Sequence, residues 1–200
     1  MSVGSGFLLS RETGVTCAHV LAGRAQDKPI KAYIAGQEYD LEVIGIDSKK
    51  DIAVFRITPM VPAGFVLQRE CRPVIVGQSI RVIGCPLASV IVDKMPSVTG
   101  GIISGVNRSI KYDGERIDGL IQADAVTSQG SSGGPIITTD GKIIGMVVFA
   151  ATGINAEWRG ATFAFPIKLI ETIAQDIIKQ NEREPNQQNS APPRVKDIIN

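Results

Sequence analysis

The stretch Gly130-Ser131-Ser132-Gly133-Gly134-Pro135 places serines among glycines, between two apolar segments that are typical of strands. Glycines let a backbone turn sharply and approach other segments closely, so this stretch predicts a tight loop that presents Ser132. A serine hydroxyl is a weak nucleophile at neutral pH and needs a neighbouring base. The chain contains one histidine, His19, in the segment Thr16-Cys17-Ala18-His19-Val20. His19 is therefore the only imidazole that could serve Ser132.

Short apolar or alternating runs recur along the chain between glycine, proline and aspartate residues, which is the pattern of β-strands. They cover residues 6–9, 30–34, 41–46 and 52–57 in the first half, and residues 79–84, 101–104, 119–122, 135–138 and 142–148 in the second. Many short strands at this spacing favour barrels or sandwiches over alternating strands and helices. The sequence thus predicts an all-β fold with two units, 1–72 and 73–165.

The end of the chain has a different pattern. Apolar residues recur at helical spacing after Pro166, at Leu169, Ile170, Ile173, Ala174, Ile177 and Ile178. This spacing predicts a helix over 166–181, with Pro166 in the first turn, where proline is tolerated. Residues 182–200 are polar and rich in proline, which predicts a linker or tail.

The charge balance excludes some classes of partner. The 200 residues include 21 basic and 20 acidic side chains, for a formal net charge of +1. Such a balance gives little attraction to nucleic acid or anionic membranes. No apolar run approaches the roughly 20 residues that span a bilayer, and the first residues do not look like a secretion signal. We expect no nucleic-acid or membrane partner.

The cysteines point to a reducing compartment. Cys17, Cys71 and Cys85 are odd in number and form no C-x-x-C pair. This favours free thiols over a disulfide framework and predicts a cytoplasmic protein. With a single histidine and scattered cysteines, we expect no metal site.

The serine and histidine segments are compatible with two other interpretations. The serine stretch also satisfies G-x-S-x-G, the nucleophile turn of α/β-hydrolases, but those enzymes place their histidine after the serine. No histidine follows His19, so that class is excluded. Alternatively, His19 could be an ordinary core residue and residues 130–134 an ordinary flexible loop.

Several segments together carry a family resemblance. They are Gly4-Ser5-Gly6-Phe7, residues 16–20, Asp51-Ile52-Ala53-Val54, Gln122-Ala123-Asp124-Ala125, residues 130–135 and Thr162-Phe163-Ala164-Phe165-Pro166. With these segments in this order, the chain resembles the chymotrypsin-like (trypsin-like) serine peptidases over about residues 4 to 166. The strongest likeness is to HtrA-type and intracellular members. The resemblance implies a chymotrypsin-like double β-barrel, here with a C-terminal helix, and a catalytic cleft between the barrels.

The resemblance also implies residue roles. Ser132 would be the nucleophile, His19 the general base and then acid, and Asp51 the carboxylate that orients the imidazole. The amides of Gly130 and Ser132 would form the oxyanion hole. Asp40 and Asp47 also lie near Asp51 in the sequence. Asp51 is preferred because it directly precedes the apolar strand 52–55, where the family places its carboxylate, although it could simply begin that strand.

The substrate pocket is assigned in the same way. Val126 lies six positions before the nucleophile, where relatives that cleave after Lys or Arg carry an aspartate. The pocket walls would come from Val147, Val148, Phe149 and Thr162. An uncharged pocket cannot compensate a buried cation, so we expect small or aliphatic P1 residues. These wall residues could equally be plain core.

The implied activity is that of a serine endopeptidase that hydrolyses polypeptides through an acyl-enzyme and needs no cofactor. Ser131 and Val20 replace the aspartate and cysteine that secreted zymogens of this family carry at these positions. We therefore expect control by a regulatory domain or partner beyond the linker, in a larger intracellular protein. The alternative is a catalytically silent double barrel that binds extended peptides by strand addition.

Overall fold

The computed structural model describes residues 3–22, 29–86, 95–112, 114–150 and 161–183. In these ranges the chain forms two antiparallel sheets followed by one long helix. The all-β, double-barrel prediction with a C-terminal helix is confirmed.

The first sheet contains five strands in the order β1-β2-β5-β4-β3. Their bounds are β1 Phe7–Leu8, β2 Thr13–Cys17, β3 Ile30–Ile34, β4 Gln37–Asp47 and β5 Ile52–Thr58. Along β2 and β5, Val15, Cys17, Ile52 and Val54 are fully buried. A short helix that the sequence did not predict, α1 (Ala18–Ala22), follows β2 directly.

The second sheet closes into a six-stranded barrel in the order β10-β11-β8-β7-β6-β9. Its strands are β6 Ser79–Gly84, β7 Ser97–Tyr112, β8 Glu115–Ala123, β9 Pro135–Thr138, β10 Ile143–Ala150 and β11 Thr162–Pro166. Ile80, Ile103, Ile136 and Ile144 fill its interior. Closure pairs the backbone groups that open edges would leave exposed.

Helix α2 (Ile167–Arg183) packs against both sheets, contacting β4 and β5 of the first and β10 and β11 of the second. It buries Ile167, Ile170, Ala174 and Ile177, which lie on one helical face. The Asn181 side chain adds a 3.0 Å hydrogen bond from Nδ2 to the Ile44 carbonyl. The helix therefore ties the two sheets together.

The boundaries of this helix differ from the prediction at both ends. Pro166 pairs with Gly145 as the last residue of β11, so its placement in the first helical turn was wrong. A proline that ends a strand needs no ladder donor, which explains why it fits there. Glu182 and Arg183 continue the helix instead of beginning a linker. The rest of the predicted tail, residues 184–200, lies outside the described residues.

Two strands extend beyond their apolar runs. β7 spans Ser97–Tyr112 although only residues 101–104 were predicted, because Val98, Ile102 and Val106 face outward and register shifts interrupt the alternation. β4 likewise extends from 41–46 to Gln37–Asp47, since exposed polar residues occupy its start. The predicted division at 72/73 falls in the connection from β5 to β6. None of the helices in the described ranges is long and apolar enough to cross a membrane.

An ion pair anchors that connection. Glu70 is only 7% exposed, and its carboxylate accepts hydrogen bonds from Arg72 N (3.0 Å), Nε (3.0 Å) and Nη2 (2.6 Å). These bonds lower the pKa of Glu70 to about 2. Glu70 N also donates to the Ile143 carbonyl at 2.9 Å, so the connection is held against β10.

This pair predicts how stability depends on pH. A pKa that falls from 4.5 to about 2 on folding stabilises the protein fully above about pH 4.5 and ceases to do so near pH 2. Glu70→Gln should therefore melt at a lower temperature than wild type above about pH 5, and this difference should shrink as the pH falls to about 2. Calorimetry over this range measures it. Glu42→Gln, in an exposed pair with Arg56, serves as the control with little effect at neutral pH. A difference that widens in acid would contradict the assignment.

Candidate active site

The loop between β8 and β9 carries Ser132 and requires glycine at two positions. Gly130 and Gly133 have φ angles of +97° and +86°, a region that other residues rarely adopt. A Cβ on Gly130 would lie 2.3 Å from the Cys85 carbonyl oxygen, and one on Gly133 would lie 2.1 Å from the Ser5 carbonyl oxygen. The glycines thus permit both the turn and its close packing.

The first sheet brings His19 and Asp51 together. Pairing of Cys17 with Ile52 places the end of β2 beside the start of β5. Ala18 N donates to the Asp51 carbonyl (3.0 Å), and His19 N donates to Asp51 Oδ1 (2.8 Å). The second carboxylate oxygen, Oδ2, lies 2.6 Å from His19 Nδ1. When Nδ1 donates its proton to this carboxylate, Nε2 of the neutral ring is left as an acceptor.

The other two candidate carboxylates have different partners. Asp47 Oδ1 accepts a 3.0 Å bond from Lys50 N within the turn before β5. Asp40 pairs with Lys31 Nζ at 2.7 Å across β3 and β4. Of the three aspartates, only Asp51 is hydrogen-bonded to the imidazole.

The serine loop packs against the chain that leads to His19. Gly133 N donates to the Val147 carbonyl at 2.8 Å, and the Cys17 thiol donates to the same carbonyl at 3.4 Å. The Ser132 hydroxyl itself donates to the Val148 carbonyl at 3.2 Å. Among the described residues, no hydrogen bond joins Ser132 Oγ to His19, so the hydroxyl proton has to leave the Val148 carbonyl before it can be transferred to the imidazole. Catalytic hydrogen bonds of this kind often form only once substrate is bound.

In the described residues, the serine loop has both bonded and free backbone donors, and two of the free ones flank Ser131. Ser131 N bonds to the Ser128 carbonyl (2.9 Å), and Gly134 N bonds to the Ser131 carbonyl (3.0 Å). In the part of the chain that the structure describes, the N–H groups of Gly130 and Ser132 donate to no other group. These are the two amides that the sequence assigned to the oxyanion hole.

Three of the four predicted pocket-wall residues have buried side chains. Val147 and Val148 are 1% and 4% exposed, so their side chains pack in the cores, and only their carbonyls meet the serine loop. Thr162 is 1% exposed, and its hydroxyl bonds to the Ala125 carbonyl and to Thr127 Oγ1, each at 2.7 Å. This burial favours the core interpretation that the sequence left open, and the roles of these three residues in the pocket stay predictions.

The remaining pocket residues are more accessible. Val126 is 67% exposed, so in the described part of the chain it does not form an enclosed floor. Its carbonyl accepts a 2.9 Å bond from Thr99 Oγ1. Phe149 is part-buried, with its ring 5.6 Å from that of Phe163. The roles of Val126 and Phe149 in substrate binding stay predictions.

Sequence reasoning assigned no role to Cys17. The thiol is fully buried, and this burial, followed by the nearby Asp51 charge, raises the pKa of the thiol. Ligand atoms of Cys17, His19 and Asp51 lie within 4.8 Å of one another, a spacing that could hold a metal ion. The close hydrogen bond between His19 and Asp51 already accounts for this grouping. The only sequence signal was the position of Cys17, two residues before His19.

The chain is similar to known proteins. Residues 4–146 match the family model described as a trypsin-like peptidase domain. A serine protease Do-like HtrA from Bacillus subtilis (strain 168) is 31% identical, with 90% of this chain and 40% of that protein covered. A probable periplasmic serine endoprotease DegP-like from Halomonas elongata is 33% identical, covering 88% of this chain and 35% of the relative.

Solved structures agree with these relatives. The HtrA-type protease AlgW with decapeptide superposes with a TM-score of 0.72 at 27% identity, covering 88% of this chain and 52% of that one. The serine endoprotease from Yersinia pestis superposes with a TM-score of 0.70 at 25% identity, and the match covers 89% of this chain and 58% of that one. The chain spans less than half the length of the curated relatives above. On the match of residues 4–146 and on these relatives, the chain belongs to the trypsin-like peptidase domain family, as an HtrA-type member.

Proposed function

We propose that this chain is a serine endopeptidase with Ser132 as nucleophile, His19 as general base and Asp51 as the orienting carboxylate. The observation that carries the proposal is the pair of bonds from His19 N and Nδ1 to the two oxygens of Asp51, at 2.8 and 2.6 Å. They hold the imidazole in one orientation and favour the tautomer whose Nε2 can accept a proton. Family membership supports the same chemistry.

The reaction proceeds through an acyl-enzyme. The Ser132 hydroxyl leaves the Val148 carbonyl, transfers its proton to His19 Nε2 and attacks the peptide carbonyl carbon. The carbonyl oxygen becomes an oxyanion, which accepts hydrogen bonds from the amides of Gly130 and Ser132. His19 then gives the proton to the departing amine as the C–N bond breaks. Water, activated by the same imidazole, releases the acyl group.

Two features supply most of the stabilisation in this scheme. Each preorganised oxyanion donor typically contributes about 3 to 4 kcal/mol to the transition state. The Asp51 carboxylate faces the imidazolium that forms, and it needs no rearrangement because both of its oxygens are already bonded to His19.

A direct test is covalent labelling. A fluorophosphonate probe should label the purified wild-type chain at Ser132, and Ser132→Ala should lose both labelling and peptide cleavage. Ser131→Ala is the neighbouring control and should still be labelled. Undiminished hydrolysis by the Ser132→Ala variant, measured with a fluorogenic peptide, would refute the nucleophile assignment.

The carboxylate has its own test with a matched control. Asp51→Asn removes the carboxylate that holds Nδ1–H and should lower kcat by about 10³- to 10⁴-fold, because the wrong tautomer faces the serine. Asp47→Asn changes an aspartate in the adjacent turn and should retain activity close to wild type. Equal kcat values for the two variants in a peptide-cleavage assay would rule out Asp51 as the orienting group.

A second candidate function is a silent module that binds extended peptides. The observation favouring it is the hydrogen bond from Ser132 Oγ to the Val148 carbonyl, which turns the hydroxyl toward main chain. The labelling experiment separates the two candidates. A wild-type chain that binds peptides but is neither labelled nor active would support the silent module.

For specificity we propose small or aliphatic P1 residues. The support is that the predicted pocket residues carry no charge, so a buried P1 cation would have no partner. Val126→Asp tests the pocket assignment. Because this position is 67% exposed, an aspartate there stays solvated and ionised, and it should raise kcat/KM for a P1 arginine relative to a P1 valine by about tenfold. An unchanged P1 profile in a peptide library would mean that Val126 is not part of the pocket.

For regulation we propose that another domain or a partner controls this peptidase domain. The support is that the relatives are longer than the matched region, and that Ser131 here bonds locally, its hydroxyl accepting from Ser128 N at 3.3 Å. The cytoplasmic location also stays a proposal. It is supported by the free state of all three cysteines, whereas the Halomonas relative is described as probably periplasmic.

A further inference from the structure

We infer that Ser5, in the segment that leads into the first sheet, is a positioning residue for the oxyanion hole of the second barrel. This inference rests on the proposed peptidase function and adds a residue to its machinery. Ser5 lies 127 positions before Ser132 in the numbering, just before β1, and it is part-buried. It makes hydrogen bonds through its amide, its carbonyl and its hydroxyl, and three of the four partners belong to the second unit, 73–165.

The Ser5 hydroxyl connects two segments of the second barrel. Its proton is donated to the Gly130 carbonyl at 2.6 Å, and its oxygen accepts from Cys85 N at 2.8 Å. A hydroxyl can serve as donor and acceptor at once, so it joins these two backbone groups. The bond to Gly130 is short and crosses from one sheet to the other.

That bond fixes the orientation of one peptide unit of the serine loop. The Gly130 carbonyl and the Ser131 N–H belong to the same planar peptide group. Ser5 Oγ holds its oxygen, and the Ser128 carbonyl holds its N–H at 2.9 Å. With both ends bonded, the plane between the two proposed oxyanion donors cannot rotate freely.

A second bond from Ser5 fixes the peptide unit between Ser132 and Gly133. Ser5 N donates to the Ser132 carbonyl at 2.9 Å, while the N–H of the same peptide, on Gly133, donates to the Val147 carbonyl at 2.8 Å. The intervening unit has its Ser131 carbonyl bonded to Gly134 N at 3.0 Å. Its N–H, that of Ser132, is the group left free to bind an oxyanion.

The Ser5 backbone is itself held in place. Its carbonyl accepts from Thr16 Oγ1 at 2.6 Å, which ties it to β2 three residues before His19. The same carbonyl lies where a side chain at Gly133 would have to go, at 2.1 Å from an ideal Cβ. Ser5 therefore connects the peptide units beside the oxyanion donors to β2, the strand that leads to the base His19.

The experiment compares Ser5→Ala with Thr138→Val. Thr138, the last residue of β9, is a matched control because its hydroxyl likewise donates and accepts: it donates to Asp140 Oδ1 and accepts from Lys142 N. Loss of positioning should lower kcat of Ser5→Ala on a peptidyl coumarinamide with P1 valine by about 10- to 100-fold, with KM within about threefold. Thr138→Val should keep kcat within about twofold, even if both variants melt at lower temperature.

A transition-state analogue gives a readout that lower stability would not move. A peptide ending in valinal forms a hemiacetal whose oxygen occupies the oxyanion hole, so its inhibition constant should rise in Ser5→Ala by the same factor as kcat falls. A kcat for Ser5→Ala within twofold of that of Thr138→Val, or an unchanged inhibition constant, would overturn the inference. If Ser5→Ala does not fold, Ser5→Cys, with a weaker donor, should have a reduced kcat, and full activity would overturn it equally.

Hydrogen exchange separates this inference from the proposed function. In a Ser132→Ala background, adding Ser5→Ala should accelerate amide exchange of Cys85 and Ser131 at least about tenfold by NMR, while Thr138→Val should not. Unchanged exchange overturns the positioning role. A wild-type chain without labelling or cleavage would refute the proposed function, whereas an active wild type with an unaffected Ser5→Ala would refute only the role of Ser5.

Discussion

The hydrogen bonds that cross from the first sheet to the serine loop are the constraint on which the site depends. His19 and Asp51 lie at the ends of strands of the first sheet, whereas Ser132 lies on a loop of the second barrel. Neither sheet alone therefore carries the nucleophile, the base and the orienting carboxylate. Ser5 bonds to the Gly130 and Ser132 carbonyls, and Cys17 bonds to the Val147 carbonyl. These contacts determine how the base and the nucleophile face each other.

Close backbone packing makes these crossings possible. The carbonyls of Ser5 and Cys85 lie where side chains would otherwise extend from Gly133 and Gly130. Glycines with positive φ therefore serve two purposes, because they allow the turn and they admit a neighbouring carbonyl. Helix α2 contacts both sheets from another direction, so their relative placement is supported by apolar burial as well as by polar contacts.

The carboxylate that contacts the histidine shows how local sequence and pairing combine. Asp51 precedes an apolar run at the position where the family resemblance expects a carboxylate, which favoured it over Asp40 and Asp47. The register of β2 with β5 then places it beside the start of α1, where its two oxygens meet the amide and the ring of His19. The pocket walls could not be predicted in this way, because a buried valine next to a cleft and a buried valine in a core have the same sequence signature. Exposures of 1% and 4% assign Val147 and Val148 to the core.

From the sequence alone, the strand pattern, the single histidine, the glycine-rich serine loop and the apolar face of the last helix could be predicted, because each depends on local periodicity or on residue chemistry. The lengths of β4 and β7, the start of α2 and the burial of Thr162 could not, since they depend on pairing with distant strands. The same holds for the contacts of Ser5, which lies in a segment that carries the family resemblance but whose partners its local sequence does not indicate. Its hydrogen bonds to Gly130 and Cys85 exist only because the tertiary structure brings residues 80 and 125 positions away against it.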